Sequence, residues 1–149
     1  MEKYIPWING TSDYFKYLIR SGFGLNVLDI PVERADKLRC ATYPIILAQD
    51  LSETKFSREF RRNQLLEAIR LIRGKLSANR DTNIVMTTID PIELHWEERF
   101  RQEGVNQIVS IYYSNKIWAD LRLAINQNIN PEFRTHDYMD FIGKAKREL

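Results

Sequence analysis

The sequence predicts a single α/β domain of the Rossmann-like or flavodoxin-like type, in three layers, with a small and mainly parallel sheet of three to four strands. From residue 41 onward, short apolar and β-branched segments alternate with longer amphipathic ones. Each intervening segment is long enough for a right-handed crossover between parallel strands. The length of 149 residues is the usual size of one domain. An α+β domain with a mixed sheet is the alternative, because the sequence does not reveal strand order.

Residues 1–40 are the least regular part of this predicted domain, which spans 1–149. Thr11 or Ser12 is a suitable cap for a short helix that ends before Gly24, and residues 25–30 form a short apolar segment typical of a strand. Trp7 lies in a segment without a regular pattern. It either docks the N-terminal segment onto the domain, which we favour, or contacts a partner from the surface.

Residues 41–149 contain the clearer elements. We predict three neighbouring strands at 43–49, 83–89 and 106–113, each rich in apolar or β-branched residues. One helix is predicted over about 53–76. A second begins after Asp90-Pro91, where Glu93 completes a capping box. Two further helices are predicted after Ser114 or Asn115 and after Thr135. The apolar side chains of these helices should cover the sheet, and the predicted stripe of the first one also includes Leu76. The expected core residues are Leu65, Ile69, Ile72, Trp96, Phe100, Trp118 and Leu121.

The composition indicates a folded globular protein and gives no sign of a membrane-spanning or exported one. Apolar residues make up 44% and charged residues 28%, which is ordinary for a folded globular chain. No stretch approaches the 18 consecutive apolar residues typical of a membrane span, and the N-terminus has no signal-peptide pattern, so we expect a cytoplasmic protein. One cysteine, Cys40, and two histidines offer neither an internal disulfide nor a zinc site.

Acidic residues follow two of the predicted strands. Asp50 and Asp90 come directly after strand segments, where the ligand site of a parallel sheet lies. Carboxylates that converge there suit Mg²⁺, with Glu53 and Glu93 as further ligands. The stronger interpretation is that both aspartates cap helices, because each precedes a predicted helix and Asp90 is followed by proline. Otherwise the chain has no phosphate-binding loop, dinucleotide fingerprint, zinc-protease or serine-hydrolase motif.

Positive charge is concentrated in one segment, residues 54–80, which we call the basic segment. It contains eight basic and two acidic residues, although the whole chain has a net charge of only +2. On a helical wheel several of these basic residues share one sector beside the apolar stripe, which predicts an exposed ridge able to contact phosphates. A contact with an acidic protein and a plain solvated face are the alternatives. The candidate residues are Lys55, Arg62, Arg70, Arg73, Lys75 and Arg80.

The sequence therefore favours a non-enzymatic binding or accessory protein of a larger assembly, which contacts nucleic acid or another polyanion and needs no cofactor. One alternative is a small Mg²⁺-dependent nuclease or phosphohydrolase that uses Asp50 and Asp90. The other is a structural subunit attached through the apolar segment around Trp7. Oligomeric state is not predicted.

Overall fold

The computed structural model describes residues 4–11, 13–50, 55–89, 91–110 and 115–129. Strands and helices alternate throughout these ranges. The strands are β1 (Tyr4–Ile8), β2 (Asn26–Ile30), β3 (Ile46–Asp50), β4 (Ile84–Thr88) and β5 (Gln107–Ser110). The helices are α1 (Asp13–Phe23), the 3₁₀ helix η1 (Val32–Arg39), α2 (Lys55–Ile72), α3 (Leu94–Glu103) and α4 (Asn115–Ile129).

The five strands form one all-parallel sheet in the order β2-β1-β3-β4-β5. This order confirms the predicted α/β fold and is the flavodoxin-like one. The three strands predicted from residue 43 onward are indeed neighbours, β3 beside β4 and β4 beside β5. The strand count is higher than expected because β1 and β2 extend the sheet beyond β3.

Helices cover both faces of the sheet. Side chains of η1, α2 and α3 pack with one set of strand residues, including Ile8, Ala48 and Met86. Side chains of α1 and α4 pack with the other set, including Trp7, Leu47 and Val85. Alternate residues of each strand therefore enter opposite cores, as a sheet buried on both faces requires.

The predicted core is confirmed where its side chains are described: all are buried, with Trp96 the most exposed at 8%. They are Leu65, Ile69, Ile72, Trp96, Phe100 and Leu121. The side chain of Trp118 lies outside the described residues. Leu76 is 88% exposed, because α2 ends at Ile72 and the apolar periodicity continues past the helix.

Strand β1 was not predicted, because Pro6 lies within it and a proline cannot donate to a ladder. The strand nevertheless pairs with β2 along its whole length and with β3 at Trp7 and Ile8. Trp7 is completely buried, and its indole Nε1 donates to Thr87 Oγ1 at 3.1 Å. The alternative in which Trp7 contacts a partner from the surface is therefore wrong, because the side chain is enclosed in the core. Gly10 permits this packing, because a Cβ there would lie 2.5 Å from Trp7 Cδ2.

The start of α3 differs from the prediction. Helix α3 begins at Leu94 with Glu93 as its N-cap residue, so Pro91 is not at the first helical position. Glu93 makes no side-chain capping bond, because its carboxylate binds arginines of α2 instead. Asp90 and the helix predicted after Thr135 lie outside the described residues. Gly104 is the C-cap residue of α3, with φ at 120°. Among the helices described, none has both the length and the apolarity needed to cross a membrane.

Candidate functional sites at the two edges of the sheet

Strand order identifies the first place to look for a ligand. Strands β1 and β3 are adjacent in the sheet. The connection after β1 leads to β2 on one side, and the connection after β3 leads to β4 on the other side. In open α/β sheets, ligands bind beyond the carboxyl ends of the strands at such a switch point. The described residues there include Thr11 after β1 and Gln49 and Asp50 at the end of β3.

Asp50 is engaged by an arginine from the adjacent helix. Arg62 Nε lies 3.3 and 3.2 Å from the two carboxylate oxygens of Asp50, and Arg62 Nη2 lies 3.0 Å from Oδ2. Both side chains are only 2% exposed. The third guanidinium nitrogen, Nη1, donates to Glu93 Oε2 at 2.6 Å, and Arg58 also pairs with Glu93. We call Asp50, Arg62 and Glu93 the ion triad, in which Asp50 and Arg62 are buried and Glu93 is 42% exposed.

Burial and hydrogen bonds shift the pKa values of two members of the ion triad, Arg62 and Glu93. Burial lowers the pKa of Arg62, but the hydrogen bonds with Asp50 and Glu93 outweigh burial and raise this pKa overall. The pKa of Glu93 is lowered, first by a hydrogen bond from its own backbone N–H and then by the hydrogen bond from Arg62. The arginine therefore remains charged and Glu93 ionises readily, so the cluster is held by charge-assisted hydrogen bonds.

On the other face of the sheet, the neutral residues Gln49 and Thr11 form hydrogen bonds with each other at the same edge. Gln49 Nε2 donates to Thr11 Oγ1 at 2.8 Å, and Thr11 N–H donates to Gln49 Oε1 at 3.2 Å. This reciprocal pair joins the segment after β1 to the end of β3, across the switch point itself. Within the described part of this edge, the polar groups of Thr11, Gln49 and Asp50 are thus bound to one another or to Arg62.

The predicted catalytic pair is only half described. Asp50 is at the end of β3 as expected, whereas Asp90 and Glu53 lie outside the described residues. A guanidinium in bidentate contact with Asp50 occupies the oxygens that a metal ion would need, and it repels a cation. Across the described ranges, no three acidic, histidine or cysteine residues form a group suited to a metal ion.

The predicted ridge of the basic segment is not a continuous exposed surface, and this expectation is wrong for Arg62, which is buried in the ion triad. Arg70 is 57% exposed but pairs with Glu67 and Glu103. Those carboxylates raise the pKa of Arg70, chiefly through the hydrogen bond to Glu103. Helix α2 contains Lys55, whose side chain lies outside the described residues.

Arg73 is used inside the protein as well. Its guanidinium donates to the backbone carbonyls of Gly104, Asn79, Arg80 and Thr82, and to Asn106 Oδ1, with the shortest of these distances at 2.6 Å. Burial lowers its pKa, but an arginine remains protonated. Because these acceptors are neutral, the positive charge is retained at the edge of the sheet where β4 begins, which we call the amino edge.

Asn79 completes the construction of the amino edge. It is fully buried, and its Nδ2 donates to the carbonyls of Leu38 and Ala41. Its Oδ1 accepts from Tyr43 N–H and Thr82 Oγ1, both at 3.0 Å. The loop between α2 and β4 is therefore tied to η1, to the segment before β3 and, through Arg73, to the end of α3.

This fixed loop forms one wall of an open groove of about 540 Å³, which we call the amino-edge groove. Two members of the basic segment, Lys75 and Arg80, line it, and both are exposed. Lys75 makes no ion pair with any residue that the structure describes, and Arg80 makes only a long one of 3.8 Å with Asp81. The polar remainder of the lining comes from Thr42, Ser77, Asp81, Thr82, Asn83 and Asn128.

Sequence reasoning identified the two basic side chains of this groove but not its amides. Asn83 lies just before β4 and Asn128 near the end of α4, 45 positions later, yet Asn83 Nδ2 donates to Asn128 Oδ1. No spacing in the sequence signals that contact, because it depends on how α4 crosses the sheet. No protein-family model matches the chain, and no curated protein matches it either.

Proposed function

We propose that this protein is a non-enzymatic binding module of a larger assembly and that it contacts a polyanion, such as nucleic acid, at the amino-edge groove. The observation that carries the proposal is the presence of Lys75 and Arg80 in one polar groove, where the described residues give Lys75 no ion pair and Arg80 a long one with Asp81. Lysine and arginine side chains bind phosphate and sulfate groups through charge-assisted hydrogen bonds.

Local charge supports this proposal. Lys75 and Arg80 bring two positive charges, and Arg73 lies behind the same loop, where the acceptors described for its guanidinium are neutral. Asp81 is the acidic residue of the groove lining. The described groove therefore has a positive balance, which attracts anions and increases their rate of association.

Rigidity of the loop supports it further. Arg73 binds the carbonyls of residues 79, 80 and 82, and Asn79 binds groups on both sides of the loop. A binding surface that is already ordered loses less conformational entropy when the ligand arrives. At the edge formed by the carboxyl ends of the strands, which we call the carboxyl edge, the Asp50 carboxylate is bound by Arg62, and this is consistent with a non-enzymatic role.

The test is a salt titration of binding to heparin, a short single strand and a short duplex. We expect the wild type to bind with an affinity that falls steeply as salt rises, because bound cations are displaced from the polyanion. The double variant Lys75→Glu and Arg80→Glu should lose this binding. Its matched control, Arg20→Glu and Arg34→Glu, changes the net charge equally at exposed positions outside the groove and should retain most of the affinity.

Two results would contradict the proposal. One is a wild-type protein that binds none of the three polyanions at low salt. The other is equal weakening of binding in the groove variant and in the control variant, which would mean that overall charge rather than the groove is responsible. A protein partner would then be the better explanation of the exposed basic residues.

A further inference from the structure

The amino-edge groove contains a pair of side-chain amides beside its basic residues. Asn83 Nδ2 donates to Asn128 Oδ1, and Asn128 Nδ2 donates to the carbonyl of Ala124 at 2.6 Å. An asparagine amide has two donor hydrogens and an oxygen with two acceptor positions. Within the described residues, Asn83 Oδ1 and one N–H of each amide therefore have no partner, and both side chains line the groove.

The edge of a nucleobase also places a donor next to an acceptor, and these groups are complementary to the acceptor and donors of an asparagine amide. Asparagine amides bind such edges with two hydrogen bonds, most familiarly with adenine. Lys75 and Arg80 line the same groove and supply the charges that a phosphate group requires. Both halves of a nucleotide, its base and its phosphate, thus find complementary groups on one surface.

The dimensions of the groove favour a small ligand. Its volume of about 540 Å³ lies within the range of about 300–1,000 Å³ that is typical of small-molecule sites. A groove of this volume can accept one nucleotide, free or within a single strand.

We infer that the amino-edge groove binds a single nucleotide unit, with its phosphate at Lys75 and Arg80 and its base edge at the Asn83–Asn128 amide pair. This inference rests on the proposed function, because it assigns the ligand class of the same groove. A free nucleoside monophosphate and a nucleotide of a single strand share this chemistry, so the experiment includes both.

The experiment compares affinities for nucleoside 5′-monophosphates, for ribose 5-phosphate as a ligand without a base, for a short single strand and for heparin. Each ligand is titrated at low salt by calorimetry. We expect at least one monophosphate to bind about tenfold more tightly than ribose 5-phosphate, since one or two net hydrogen bonds contribute about 1–1.5 kcal/mol. Tighter binding of the single strand than of the free monophosphates would identify the strand as the source of the nucleotide.

Two variants separate the base contact from the phosphate contact. The change of Asn83 and Asn128 to alanine should remove the preference for the nucleotide while leaving the affinities for ribose 5-phosphate and heparin unchanged. The control, Gln127→Ala, alters an exposed amide of the same helix that does not line the groove, and it should retain the preference. The double variant Lys75→Glu and Arg80→Glu should weaken binding of every ligand.

The outcomes distinguish the two proposals. Equal wild-type affinity for nucleotides and ribose 5-phosphate, together with salt-sensitive heparin binding, would overturn the nucleotide inference and leave the polyanion proposal standing. An unchanged nucleotide preference in the double alanine variant would also overturn it. Absence of binding to all of these ligands, heparin included, would overturn both.

Discussion

Arg62 shows how much the role of a charged residue depends on its surroundings. In the sequence it is one of eight basic residues in the basic segment, with nothing to set it apart. In the structure its guanidinium is 2% exposed, binds Asp50 and Glu93, and lies 5.4 Å from the centre of the Trp96 ring. A charge buried in this way is tolerated because opposite charges and an aromatic face replace the lost water.

We predict that Arg62→Met strongly destabilises the fold. The change replaces the guanidinium by a shorter, unbranched apolar side chain and leaves the buried Asp50 carboxylate without a counterion, which costs on the order of 3–5 kcal/mol. The measurement is the free energy of unfolding in urea at pH 7. The control is Arg70→Met, because Arg70 is 57% exposed and surface ion pairs contribute little to stability. Similar losses in the two variants would show that Asp50 does not depend on Arg62.

At the scale of elements, the regular parts of the chain were predictable because their signals are local. Strands β3, β4 and β5 are runs of β-branched and apolar residues, and α2 repeats its apolar residues at helical spacing. Strand β1 was missed for a physical reason: its proline breaks the local signal, whereas pairing with β2 on one side and β3 on the other supplies the stabilisation. Tertiary contact overrides propensity in that strand.

The candidate sites were less predictable than the elements. Counting charge identifies Lys75 and Arg80, but it does not distinguish them from Arg73, which binds the loop carbonyls. The Asn83–Asn128 contact joins elements far apart in sequence. Side-chain partners across such distances are set by packing, and packing is not visible in the periodicity of one chain.

We predict that Arg73→Lys loosens the loop between α2 and β4. A lysine ammonium has three donor hydrogens on one nitrogen and cannot span the carbonyls that the planar guanidinium reaches together. Hydrogen exchange of backbone amides in residues 74–83 should become faster, while exchange in β1 and α1 should stay unchanged. The matched control is Arg80→Lys, a change at an exposed position of the same loop. Equal exchange rates in wild type and Arg73→Lys would show that the loop is ordered without Arg73.

At the scale of the whole molecule, the two edges of the sheet differ in how their polar groups are used. At the carboxyl edge, the Asp50 carboxylate is bound by Arg62, and Gln49 and Thr11 bind each other. At the amino edge, Arg73 and Asn79 hold the loop while Lys75 and Arg80 remain exposed in a groove. Parallel α/β sheets usually bind ligands at the carboxyl edge, so a function at the amino edge would reverse the common arrangement.

This difference leads to a prediction about the double variant Asp50→Leu and Arg62→Met. It removes one buried negative and one buried positive charge, so the net charge is unchanged. Replacement of a buried ion pair by apolar residues is often neutral or stabilising. We therefore expect the variant to unfold at a urea concentration close to that of the wild type, unlike Arg62→Met alone.

If ligands bind at the amino-edge groove, the affinity of the same double variant for heparin and the salt dependence of that affinity should also match the wild type. A folded double variant that no longer binds heparin would locate the binding site at the carboxyl edge, contrary to the proposed function.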